Sequence, residues 1–279
     1  MSSTPARIFT LGPAGTFSDQ AAQRLRAHLG AGAGPVEYTR TIPEVLARTV
    51  GDPAALGVIP IENSDNGTVG QAQDSLVKHA VTIVWEITVA VRFSLVARGP
   101  LERVATCFAH PQAADQCSEY LAARLPGAPV LFTNSNMESG VKFLAEEPPV
   151  AAIVPVEFGA AHPELLVDAD IQNYRENTTR FLVVRPGRGE GPPHLTGAKT
   201  SLLIEPDEDR PGLLFELLEI FNRYRVNLCR LESRPDKIKP WNYLFFIDFN
   251  NNDQSAACVA DLNRTRNRIT VLGSYDLLP

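Results

Sequence analysis

Arg185-Pro186-Gly187-Arg188-Gly189-Glu190-Gly191-Pro192-Pro193-His194-Leu195-Thr196 divides the chain into two differently patterned parts. Glycine and proline at this density oppose both helix and strand, so the stretch reads as a linker. Upstream, Ile8 to Leu11, Leu56 to Ile61, Val130 to Phe132 and Val150 to Val154 read as strands, and Thr82 to Ala97 is β-rich and alternating. Between them, Asp19 to Leu29, Ile42 to Val50, Val69 to Lys78, Ala113 to Arg124 and Ser139 to Glu146 read as helices. Ser18 and Thr41 stand where they would cap the first two. Such alternation predicts an α/β domain with a largely parallel sheet.

Downstream the order changes. Thr200 to Glu205 alternates as a strand, and Pro211 to Tyr224 is a helix with Leu214, Leu217, Leu218 and Phe221 on one face. Val226 to Glu232 and Tyr243 to Phe249 are strands, Gln254 to Arg266 a helix, and Ile269 to Leu272 a last strand. The order β-α-β-β-α-β predicts a ferredoxin-like domain. The expected divisions are residues 1–185, a linker over 186–197, and a second domain over 198–279.

Composition narrows the classes of function. The 279 residues are 44% hydrophobic and 21% charged, which suits a globular protein with a packed core. A net charge of -6 argues against nucleic acid, which demands a basic face. Met1 to Arg7 lacks the apolar core of a signal peptide, and no run is long and apolar enough to span a membrane. Cys107, Cys117, Cys229 and Cys258 have neither CxxC nor Cys/His spacing, so they read as reduced thiols.

Four polar clusters carry candidate chemistry. Gly12-Pro13-Ala14-Gly15-Thr16-Phe17-Ser18 joins a strand to a helix, where free N–H groups and the Thr16 and Ser18 hydroxyls can bind an anion; the same residues also make an ordinary capped turn. Glu62-Asn63-Ser64 follows an apolar strand. A carboxylate there can exchange protons and an amide can donate and accept, although Asp65-Asn66-Gly67 would equally close a solvated turn. Phe108-Ala109-His110-Pro111-Gln112 precedes Gln116-Cys117, with His110 in a capping position. Asn177-Thr178-Thr179-Arg180-Phe181 sets a hydroxyl beside a fixed cation at the mouth of the apolar run Leu182-Val183-Val184. Threonine as a β-former and arginine as a surface charge would also account for it.

In this order and at these separations, and with Glu232-Ser233-Arg234-Pro235 and the tract to Tyr243 following, the clusters resemble the prephenate dehydratase family. The resemblance spans nearly the whole chain and includes a C-terminal ACT-type regulatory domain. It implies a two-lobed α/β catalytic region of periplasmic-binding-protein-like form, with the active site in the interlobe cleft. It further implies a cytoplasmic enzyme without a cofactor that takes prephenate to phenylpyruvate. That reaction expels carbon dioxide and hydroxide from a cyclohexadiene to leave an aromatic ring.

By resemblance Thr179, Glu62 and Asn63 are the catalytic set. Thr16, Ser18, Ser64, Gln116, Ser135, Arg180 and Phe181 would bind substrate, with the Arg180 fork on a carboxylate. Gly212, Leu213, Leu214, Asn227, Leu228, Glu232 and Ser233 would bind L-phenylalanine between subunits of a homodimer or homotetramer. Ala109, Asn136 and Pro155 depart from the family pattern, as does Leu213, where alanine is usual. These departures leave open a related cyclohexadienyl-acid enzyme that does not aromatise its substrate, and a non-catalytic amino-acid sensor.

Overall fold

The computed structural model describes residues 6–188, 195–237 and 241–279. Residues 1–5, the middle of the expected linker at 189–194, and 238–240 of the tract ending at Tyr243 lie outside the described residues. The first lobe is built from β1 (Ala6–Leu11), α1 (Phe17–Leu29), β2 (Ala33–Thr39), α2 (Ile42–Val50), β3 (Leu56–Asn63), β4 (Gly67–Thr68), α3 (Gly70–Lys78) and β5 (Val81–Ala90). The chain then enters the second lobe through β6 (Phe93–Arg98), β7 (Thr106–Ala109), α4 (Pro111–Gln116), α5 (Ser118–Arg124) and β8 (Val130–Phe132). That lobe is completed by α6 (Asn136–Ala145), β9 (Val150–Pro155), α7 (Val156–Ala161) and β10 (Leu166–Ala169), and β11 (Thr178–Pro186) returns to the first. The C-terminal domain follows as β12 (Lys199–Glu205), α8 (Leu213–Arg223), β13 (Leu228–Pro235), β14 (Tyr243–Asn250), α9 (Ser255–Leu262) and β15 (Arg268–Leu277).

Three local expectations are corrected. Helix α1 begins at Phe17, so the extended Thr16, not Ser18, is its cap and accepts from the Asp19 N–H. Residues 82–97 form two strands rather than one β-rich run: β5 belongs to the first sheet and β6 to the second, and the chain changes lobes between them. The first sheet is mixed. β1 pairs in parallel with β2 and β3, but β11 comes back from the second lobe and runs antiparallel to both β3 and β5. Thr41 caps α2 as its position predicts, accepting from the Glu44 N–H.

The C-terminal domain has the βαββαβ order, with strand order β13-β14-β12-β15. Its sheet uses both faces. Leu202, Ile204, Ile247 and Phe249 pack beneath α8 and α9 against Leu217, Phe221 and Val259. The opposite face turns Leu203, Phe246, Leu272 and Tyr275 into the core of the first lobe, among Ile61, Leu76, Ile83 and Val184. β15 also extends beyond the expected Leu272 and pairs in parallel with β5, through Asp276↔Trp85 and Leu277↔Glu86. The result is one continuous ten-stranded sheet. Gly273 permits this approach, since a Cβ there would stand 2.2 Å from the Ile83 carbonyl oxygen.

Candidate active site

The two lobes meet at a cavity of about 200 Å³. The first lobe contributes Phe17 and Ser18 from the start of α1, Pro60 and Asn63 from β3, Val69, and Thr179 and Phe181 from β11. Val91 and Phe93 lie at the lobe crossing, and the second lobe adds Gln112, Ala113, Gln116 and Asn136. The Phe17 and Phe93 rings meet edge to face at 5.6 Å, so aromatic surface from both lobes closes one side. None of the residues lining the cavity is charged.

Thr179 and Asn63 form its polar centre. They are direct partners across the β11–β3 ladder. Asn63 is turned one way by its own loop: its Oδ1 accepts from the N–H groups of Asp65 and Asn66 at 3.1 and 3.0 Å. Its Nδ2 therefore points across the ladder and donates to Thr179 Oγ1 at 2.9 Å and Asn177 Oδ1 at 2.8 Å. With one lone pair of the Thr179 oxygen occupied by this donor, the threonine's own O–H is left to donate.

The other sequence-predicted residues are distributed unevenly. Ser18, Gln116 and Phe181 line the cavity with Thr179 and Asn63. Thr16 is spent on structure: its hydroxyl donates to the Pro13 carbonyl at 2.9 Å while capping α1. Ser64 accepts from the Thr178 N–H at 2.9 Å and clasps the β3 end to β11. Ser135 caps α6 by accepting from the Glu138 N–H. His110 caps α4 through Nδ1, and burial pushes its imidazole below its ordinary pKa. Of the departures from the family pattern, Ala109 is buried in the second-lobe core and Pro155 pairs with Phe93 in the sheet. Asn136 alone reaches the cavity, its Oδ1 buried without a partner.

Arg180 and Glu62 do not reach the cavity. On β11 the side chains alternate, so Thr179 and Phe181 face the cleft and Arg180 faces the other way. On β3 the register steps from Arg180↔Glu62 to Phe181↔Pro60. Ile61 and Glu62 thus occupy one residue's place, and this bulge sends Glu62 to the same side as Arg180. There Arg180 bonds to Glu62 at 2.8 Å, Glu86 at 2.9 Å and Asp248 at 3.0 Å. Burial disfavours the guanidinium charge, but Asp248 and Glu86 outweigh it and hold its pKa above the usual range. Sequence reading missed Glu86 and Asp248. Each is the one charged residue in an otherwise apolar strand, VTIVWEITVA and YLFFIDFN, and a buried charge of that kind calls for a partner.

A second cavity, of about 230 Å³, opens on the C-terminal domain between Pro206, Asp209, Leu213, Ser233, Asn242, Tyr243 and Phe245. Leu213 and Ser233 are the predicted effector residues found there. Gly212 precedes α8 at φ +85 and sets its start. Leu214, Asn227 and Leu228 do not line it, and Glu232 points the other way, accepting from Thr68 Oγ1 at 2.9 Å.

Comparison with known proteins agrees with this architecture. A prephenate dehydratase family model matches residues 8–188, and an ACT domain model matches residues 208–267. The chain is 32% identical to a prephenate dehydratase of Methanocaldococcus jannaschii over 97% of both chains. It is 33% identical to one from Amycolatopsis methanolica, covering 97% of this chain and 88% of that one. The crystal structure of an Arthrobacter aurescens prephenate dehydratase in complex with L-Phe superposes with a TM-score of 0.83 at 30% identity, over 98% of this chain and 90% of that one. With its two lobes, its interlobe cavity and its βαββαβ end, the chain belongs to the prephenate dehydratase family and carries an ACT domain.

Proposed function

We propose that the protein is a cytoplasmic prephenate dehydratase, taking prephenate to phenylpyruvate without a cofactor. The observation that carries this is the Asn63–Thr179 bond at 2.9 Å, which leaves a hydroxyl proton free at the floor of an uncharged, aromatic-walled cavity. As the ring C–O bond breaks, the Thr179 O–H transfers its proton and the leaving hydroxyl departs as water, while the Thr179 oxygen takes a proton from solvent to restore the hydroxyl. The electrons of the bond to the ring carboxylate close the aromatic system, and carbon dioxide leaves. A cation held on that carboxylate would stabilise the ground state more than the charge-dispersed transition state, so a lining without arginine or lysine favours its loss. Gln112, Gln116, Ser18 and Asn136 supply neutral donors for the rest of the substrate.

The same reading takes residues 1–185 as the catalytic domain, 186–197 as the linker and 198–279 as the ACT domain, in a homodimer or homotetramer controlled by L-phenylalanine. Support for the effector is the cavity beside Leu213 and Ser233, where Asp209 can meet an α-ammonium group and Tyr243 and Phe245 an aromatic side chain. Incubation of purified protein with prephenate, followed by detection of phenylpyruvate, tests the reaction. A non-aromatic product or no turnover overturns it. Calorimetry with L-phenylalanine tests the effector, and an absence of heat alongside intact turnover would leave the ACT domain a structural part only.

A further inference from the structure

The wall between the cleft and the ACT domain is one residue layer thick, and three neighbouring pairs of residues divide its two sides. Asn63, Val69 and Thr179 line the cavity. Their chain neighbours Glu62, Thr68 and Arg180 all reach backwards to the ACT sheet. Arg180 meets Asp248 of β14 at 3.0 Å, and Glu62 lies 3.8 Å from Arg230 Nε of β13. Thr68 donates to Glu232 of β13 at 2.9 Å and accepts from Arg230 at 3.3 Å. Glu86, the remaining partner of Arg180, is held by Lys199 at the start of β12 at 2.8 Å.

These charges form a closed set. Arg180, Lys199 and Arg230 stand against Glu62, Glu86 and Asp248. Asp248 and Arg230 of the ACT sheet reach Arg180 and Glu62, each next to a cavity residue, while Lys199 reaches Glu86 of β5, which holds Arg180 in turn. Asp248 is itself fixed: Ser201 donates to its Oδ1 at 2.6 Å, and the Tyr275 hydroxyl bonds to Ser201 at 2.7 Å. The anchor therefore sits in the middle of the ACT sheet rather than on a mobile surface chain. The Nε–H groups of both Arg180 and Arg230 are buried without acceptors.

We propose that Arg180 is a positioning residue and not a substrate ligand: gripped by Asp248 of the ACT sheet and by Glu86 and Glu62, it fixes β11 so that the Thr179 hydroxyl stays on Asn63. The ACT sheet is then the outer wall of the active site. β13 is built the same way in reverse, with Ser233 facing the second cavity while Arg230, Glu232 and Arg234 bond to the catalytic lobe.

This inference rests on the prephenate dehydratase reading for its kinetic test, and on the fold alone for its physical one. Asp248→Asn, Arg180→Lys and Arg180→Gln are compared with the parent by steady-state turnover of prephenate and by hydrogen exchange of the segment 177–181. Asp248→Asn is expected to lower kcat about tenfold or more while KM moves less than about threefold, the pattern of lost transition-state geometry. The lysine variant at 180 keeps more of kcat than glutamine, and exchange at 178–181 accelerates by roughly tenfold in Asp248→Asn. Should Asp248→Asn not fold, Lys199→Gln, at the rim of the cluster, loosens Glu86 and carries the same expectations at smaller size. A large rise in KM with kcat preserved in Arg180→Lys makes Arg180 a substrate ligand and overturns the proposal. Unchanged kinetics with unchanged exchange overturns it too. If the parent protein fails to turn over prephenate, the functional reading falls, while the exchange result still decides whether Asp248 positions β11.

Discussion

At the scale of single residues, the hydroxyl of Thr179 and the amide of Asn63 depend on each other. Asn63 has its orientation set by the Asp65 and Asn66 N–H groups, so it presents a donor and never an acceptor to Thr179. Thr179→Val, nearly isosteric and still β-branched, should preserve folding and lower kcat about 10²-fold or more, the usual range for a lost general acid. Near-normal turnover in the valine variant would remove Thr179 from that role. How much of this was legible differs from residue to residue. Thr179 and Arg180 are adjacent on a strand, and side chains on a strand alternate, so the sequence already forbade both from entering one cleft. The case of Glu62 was not legible: simple alternation from Pro60 would have put it in the cavity, and a bulge at Ile61 and Glu62 turned it away. Asp248 and Glu86 stood out as lone charges in apolar strands, but their partners lie 68 and 94 residues from them in the chain, and local pattern does not reach so far.

At the scale of elements, strands and helices were well marked by period and punctuation, whereas their division between sheets was not. β5 and β6 read as one alternating run because an extended chain looks the same on either side of a lobe crossing. The β15–β5 pairing was hidden for another reason. It depends on Gly273, whose missing side chain lets β15 lie against the Ile83 carbonyl, and a lone glycine in a strand signals close approach without naming what approaches. Gly273→Ala should destabilise the protein by about 1–3 kcal/mol through overpacking against backbone. A thermal melt within error of the parent would show that β15 can shift to relieve the contact. Between β13 and α3, Asp74 bonds to Arg234 at 3.1 Å and to Lys237 at 2.7 Å. Partial burial alone would raise its pKa, but the two cations overcome that and hold it below the ordinary carboxylate value. A depressed folded-state pKa gives stability that is full above the unfolded carboxylate value, at about pH 4, and is lost as pH falls below it. Asp74→Asn should therefore flatten the loss of stability on acidification from about pH 5 to 3. Parallel denaturation curves for the two proteins across that window would discount the contact.

At the scale of the whole molecule, the regulatory and catalytic parts share a core and a sheet. Leu203, Phe246, Leu272 and Tyr275 fill the first lobe from the ACT side, so the two parts are expected to unfold in one transition. Two resolved calorimetric peaks would contradict that. The β15–β5 ladder has a consequence best seen from the ribosome. The catalytic sheet waits for a strand encoded at Arg268–Leu277, long after Thr179 and Asn63 have been made. A chain halted before Arg268 leaves β5 with an open edge and an apolar flank where Leu272 and Tyr275 belong, the kind of surface that recruits other chains. Premature termination should accordingly give insoluble protein rather than an enzyme freed from its regulator. Soluble, active protein from residues 1–188 would refute this. On that expectation the catalytic fold is completed only when its last strand has been synthesised, so the order of translation couples the appearance of activity to that of the ACT domain.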